Sequence, residues 1–145
     1  MKLRRAVLIA IALVAVVLAG WAAMHFLVRP PAELDLSRSK PSAMGLYSVA
    51  MAPEIEPVQR GPLQALVLTL ATPDGKPVEG AHITVGGGMP QHGHGLPTSP
   101  EVTAYLGDGR YRVEGVRFNM SGWWELKFAI SASPGDDSVT FNLVL

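Results

Sequence analysis

The chain opens on an apolar block and closes on alternation. Ala6 to Val28 is a run of 23 residues without formal charge, interrupted only by His25. As a helix rising 1.5 Å per residue it reaches roughly 34 Å, enough to cross a hydrocarbon core of about 30 Å. Lys2, Arg4 and Arg5 precede it, which by the positive-inside rule keeps the amino terminus in the cytoplasm. Arg29-Pro30-Pro31 ends the helix, because proline has no amide donor and disfavours helix in the residue before it. Residues 1–29 are thus expected to be a cytoplasmic tip and a transmembrane anchor. Residues 6–28 would cross the inner membrane once and leave the carboxy-terminal domain in the periplasm. The competing reading is a cleaved signal peptide with a small-residue site around Ala19 to Ala23. A signal h-region usually spans about 7–15 residues, shorter than this run. Both readings place the same domain outside the cytoplasm.

Residues 30–62 hold six prolines, Pro30, Pro31, Pro41, Pro53, Pro57 and Pro62, and read as an extended, proline-rich linker. Within it residues 46–51 alternate, with Tyr47, Val49 and Met51 on one side, a candidate first strand. From 63 to 145 the period is two. Leu66, Leu68 and Leu70 alternate with Ala65, Val67 and Thr69, and Ala81, Ile83 and Val85 with His82 and Thr84. Tyr111 and Val113 face away from Arg110, Arg112 and Glu114. Trp124, Leu126, Phe128 and Ile130 face away from Trp123, Glu125 and Lys127; Val139, Phe141, Leu143 and Leu145 close the chain. Each segment therefore has one core face. Pro73-Asp74-Gly75, Gly107-Asp108-Gly109 and Pro134-Gly135-Asp136 have turn chemistry. At Gly115 the apolar parity moves from Tyr111 and Val113 to Val116, Phe118 and Met120, as a β-bulge would produce. The expected fold is all-β: an immunoglobulin-like antiparallel β-sandwich over 63–145, preceded by one amino-terminal transmembrane helix. A small closed barrel is the alternative.

Charge narrows the function classes. The chain has 12 Lys+Arg and 12 Asp+Glu, but four of the basic residues flank the apolar block. Everything after Arg29 holds eight basic and all twelve acidic residues, a net charge of −4. An acidic domain without a basic stripe argues against nucleic acid as a partner. The absence of cysteine removes disulfides, thiolate zinc sites and cysteine nucleophiles together. No lysine follows Gly86-Gly87-Gly88 as a P-loop requires, and Ser99 and Ser121 lack a nucleophile elbow. Glu54 and Glu56 lie in the proline-rich stretch. No catalytic constellation emerges, and the chain is not read as an enzyme.

One stretch breaks the alternation. Residues 86–100 contain five glycines and three prolines and read as a loop rather than a strand. Met89, His92 and His94 lie within it. Two imidazoles separated by one glycine share a face of an extended chain about 6.6–7 Å apart and can converge on one ion. Met89 offers a thioether, Met120 a second, and His82 a further imidazole. Imidazole with thioether, and no thiolate, favours copper; zinc wants a third firm nitrogen, oxygen or cysteine ligand, and calcium wants oxygens. Against this, His-Gly-His runs also occur in loops that need only polar, flexible residues. Met89 and Met120 suit core packing, alternation turns His82 to solvent, and Trp123 could shield a site near Met120.

The run Gly88-Met-Pro-Gln-His-Gly-His-Gly95, followed by Gly109-Arg-Tyr-Arg-Val-Glu-Gly-Val-Arg-Phe-Asn-Met-Ser-Gly-Trp-Trp-Glu-Leu126, resembles the FixH/YtkA-like family. The Pro77-Val-Glu-Gly-Ala81 turn does so too, and the likeness covers roughly residues 60–145. It implies a membrane-anchored extracytoplasmic β-sandwich, with members associated with copper delivery and cytochrome cbb3 oxidase assembly. The family's Met-Pro…His-Gly-His-Gly pattern falls on Met89, Pro90, His92, Gly93, His94 and Gly95. Its Met-x-Gly-x-Trp element falls on Met120, Gly122 and Trp124, or on Trp123 in a register one residue shorter. Two functions are expected to compete. One is a non-catalytic periplasmic copper-binding module, with His92 and His94 as primary ligands, Met89 and Met120 completing the set and His82 peripheral. The other is a metal-free interaction domain that assists assembly of a membrane complex of respiratory oxidase type. The expected partners are the inner membrane and such a complex or a copper-delivery protein.

Overall fold

The computed structural model describes residues 2–27, 31 and 33–145, with α1 side chains described for Arg4, Arg5 and residues 7–23. The chain forms two compact units, Met1–Pro31 and Ala32–Leu145. The first is helix α1, Lys2–Leu27, of 26 residues. Its Leu8, Ile11, Leu13, Val16, Leu18 and Trp21 side chains are all exposed. Side chains are described without a break only from Val7 to Ala23, a rise of about 26 Å. Among the described residues no helix is long and apolar enough to cross a membrane.

Among the described residues the second unit has nine strands: β1 Ser39–Pro41, β2 Ser48–Pro53, β3 Gln64–Ala71, β4 His82–Met89, β5 His94–Gly95, β6 Glu101–Gly107, β7 Arg110–Val116, β8 Trp123–Ala132 and β9 Gly135–Val144. One sheet has the order β1-β2-β3-β7-β6 and the other β5-β4-β8-β9, with antiparallel pairing throughout. One buried cluster joins the two sheets. Leu66, Leu68, Leu70, Tyr111 and Val113 come from the first; Trp124, Leu126, Phe128, Ile130 and Phe141 come from the second. These are the positions that period-two alternation assigned inward. The Gly115 bulge is present: Leu66 pairs with Val113 while Gln64 pairs with Val116, so β7 carries one extra residue. Beyond it Val116 and Phe118 are fully buried, but Met120 is 38% exposed, so the inward parity ends before it.

Two expectations need correction. Residues 33–62 are not a free linker, and the domain does not begin at 63. The candidate strand 46–51 is realised as β2, two residues later, with Tyr47, Val49 and Met51 buried. The preceding segment is stitched to β9. The Ala43 amide donates to the Ser138 carbonyl, and Asn142 donates through Nδ2 to the Asp35 carbonyl at 2.9 Å. The Asp137 carboxylate accepts from Ser42 Oγ at 2.6 Å and from the Met44 and Leu46 amides. Proline density was misleading because Pro41 ends the edge strand β1 and Pro53 ends β2, so neither interrupts the interior of a strand. Residues 86–100 are likewise not wholly loop, for β4 continues through Gly86–Met89 and β5 returns beside it.

Candidate metal centre

The β4–β5 hairpin is made possible by glycine. Gly87 and Gly88 have φ of 142° and 157°, a region closed to other residues. A Cβ on Gly87 would lie 2.0 Å from the Glu125 carbonyl oxygen, and one on Gly88 2.2 Å from that of His94. Both residues keep their ladder partners, Leu126 and Glu125 on β8, so the strand survives without side chains. Pro90 then starts the reversal, and the His92 and Gly93 amides both donate to the Met89 carbonyl, at 3.1 and 3.0 Å.

The reversal places Met89, His92 and His94 on one hairpin. Met89 pairs directly with His94 across β4 and β5, and paired residues project on the same face of a sheet, about 5 Å apart at Cβ. The His92 and His94 rings stack with centroids 5.9 Å apart and planes inclined by 26°. Two imidazoles bound to one ion through bonds of about 2.0–2.1 Å have centroids at most about 6.3 Å apart. The observed separation lies inside that limit. His94 Nδ1 lies 3.2 Å from the Gly95 carbonyl. When that nitrogen carries the proton and donates, Nε2 keeps its lone pair for a metal.

The inner wall is aromatic. His94 meets Trp124 edge-on at 6.2 Å, and Trp124 meets Phe118 at 5.3 Å. The Trp124 indole donates to the Met120 carbonyl at 3.0 Å, so the backbone of Met120 is held by the ring that His94 touches. Met89 is 1% exposed, with its methyl packed at Gly122, where a Cβ would come within 2.9 Å of it. The thioether is thus a core group, whereas both imidazoles are exposed. A depression of about 270 Å³ beside the hairpin is bounded by Gly88, Met89, His94, Gly95, Glu125 and Lys127.

His82 is not part of this arrangement. It opens β4 opposite Ser131, seven residues before Met89, roughly 23 Å along the strand. There it is exposed beside Tyr105 and Tyr111. Trp123 is also displaced from its expected role: it faces outward and donates to Asn142 Oδ1 at 3.0 Å, while Trp124 shields the hairpin. Alternation along β8 already put Trp124 inside; the missing signal was the Met89–His94 register that carries the imidazole to it. Among the described residues no group of three or more His, Cys, Asp or Glu could hold a metal ion. A metal at the hairpin would therefore draw on the thioether as well as the imidazoles, a soft set suited to copper.

Searches of curated proteins and of solved structures give no match. A family model described as YtkA-like matches residues 45–129. That match spans β2 through most of β8, the hairpin and Trp124 included. It covers more than half of the chain, which therefore belongs to the YtkA-like family.

Proposed function

We propose that this protein is a non-catalytic, membrane-anchored copper-handling module whose immunoglobulin-like sandwich stands in the periplasm. The observation that carries the reading is the pairing of Met89 with His94, whose ring stacks on a second imidazole, His92, at 5.9 Å. Two imidazoles and a thioether satisfy Cu(I) and leave the shell incomplete, so the ion stays exchangeable. Met120 is a candidate fourth donor on the loop held by Trp124. The anchor rests on the uncharged run Ala6 to Val28, which as a helix would rise roughly 34 Å.

The test is competition for Cu(I) between the full chain in detergent and a chromophoric chelator. The His92→Ala/His94→Ala variant is expected to lose the competition that the parent wins, and equal affinities would reject the reading. A second reading, a metal-free docking module for assembly of a membrane complex, is favoured by the burial of Met89. It is supported instead when neither chain takes up copper.

A further inference from the structure

Among the described residues, the eight basic side chains after Arg29 divide unevenly. Six are in ion pairs: Arg38 with Glu56, Lys40 with Asp35, Lys76 with Asp74, Arg110 with Asp108, Arg112 with Glu54 and Glu114, and Lys127 with Glu125. The two outside ion pairs, Arg60 and Arg117, are both exposed and lie on adjoining loops at one end of the sandwich. Arg117 Nε donates to the Gly61 carbonyl at 2.7 Å, Arg60 reaches Ser121 Oγ at 3.5 Å, and the Gly61 amide donates to the Phe118 carbonyl. This is the end that holds the β4–β5 hairpin and the start of β8.

The same end collects apolar side chains. Ile55 is 73% exposed, Leu63 66%, Val144 49% and Met120 38%. Ile55, Pro62 and Leu63 also border a cavity of about 520 Å³. The chain enters the domain here, since Asp35 is fastened to Asn142, two residues before Val144. The carboxylates Glu54, Glu56 and Glu114 are engaged by arginines, which leaves Glu101, and Glu33 two residues before Asp35, outside an ion pair.

We infer that this end of the sandwich rests on the surface of an anionic bilayer, with Arg60 and Arg117 against lipid phosphates and Ile55, Leu63 and Met120 at the headgroup boundary. A domain of net charge −4 is repelled by such a surface everywhere except where cations stand free, so the arginine pair selects the orientation. Exposed apolar groups flanked by cations are the composition of an interfacial contact. The inference rests on the membrane-anchor part of the proposed function and is tested on metal-free protein.

The full chain has no cysteine, so Asn119→Cys and Ser133→Cys place one fluorophore at either end of β8. Metal-free protein is reconstituted in nanodiscs of phosphatidylcholine, with or without phosphatidylglycerol, bearing a headgroup quencher. The label at 119 is expected to be quenched more than that at 133, and more with phosphatidylglycerol. Arg60→Gln and Arg117→Gln should each lower the docked population roughly fivefold. Equal quenching at the two ends, indifference to both arginine variants, or displacement by inorganic phosphate beyond that by chloride at equal ionic strength would overturn the inference. A chain that fails to co-elute with the discs refutes the anchor, and the inference with it; one that co-elutes but is quenched alike at both ends refutes the docking alone.

Discussion

Asp137→Ala should unfasten the entry segment from β9. The Asp137 side chain is 8% exposed and accepts from Ser42 Oγ at 2.6 Å, Met44 N at 3.0 Å, Leu46 N at 3.2 Å and Ser138 N at 2.7 Å. Ser42, itself buried, also accepts from the Tyr47 amide at 2.9 Å. A hydrogen bond to a charged group contributes about 1.5–3 kcal/mol net. The Met44 and Ser138 amides belong to exposed residues that water can serve after truncation, so only the Ser42 bond and part of the rest are lost. The expected cost is about 3 kcal/mol. For a domain of this size that corresponds to a fall of roughly 12 °C in Tm, read by tryptophan fluorescence at pH 7. Ser42→Ala alone should cost about 1–2 kcal/mol, and the double variant should show a coupling of about 1 kcal/mol or more. Burial acts to raise the Asp137 pKa, but the bonds from Ser42, Met44, Ser138 and Leu46 outweigh it and leave it lowered. A carboxyl with a lowered folded pKa stabilises above its unfolded value of about 3.9 and loses that contribution as pH falls through the folded value. The parent should therefore weaken below about pH 4 more steeply than Asp137→Asn. A Tm within about 3 °C of the parent, or strictly additive effects of the Ser42 and Asp137 substitutions, would refute the clasp.

The remaining predictions concern the hairpin and its wall. Gly87→Ala forces a Cβ to within 2.0 Å of a backbone oxygen and should prevent native pairing of β4 with β8, seen as loss of amide protection along both strands. Gly86→Ala, with open space at its Cβ and an ordinary φ, should leave the melt unchanged or raise it slightly. His92→Ala/His94→Ala should lower Cu(I) affinity by at least about tenfold while moving Tm by under about 2 °C, because both rings are exposed. Tyr111→Phe removes a hydroxyl that donates to the Val78 carbonyl at 2.8 Å and accepts from the Ala81 amide at 3.0 Å. It should cost about 1–3 kcal/mol in chemical denaturation.

Alternation alone located β3, β4, β7, β8 and β9, since the side-chain period of two depends on local backbone geometry and survives in any environment. It also located the Gly115 bulge, because one extra residue reverses every later facing. The residue types at Met89, His92 and His94 singled out the stretch 86–100 as a candidate site, which read as a loop and is in part a strand hairpin. Three things were decided only by tertiary structure. Residues 33–62 read as tether, and it took Asp137, on a distant strand, to turn them into an edge of the sandwich. The glycines at 87 and 88 read as loop, and it took the closeness of the Glu125 and His94 carbonyls to make glycine the strand residue there. His82 and Met120 have ligand chemistry equal to that of their neighbours, yet β4 carries His82 to the far end, and the inward parity set by the bulge stops at Phe118 and leaves Met120 38% exposed. Periodicity reports which way a side chain faces; which other side chain it meets depends on strand register, and register is set by pairings between residues far apart in the chain.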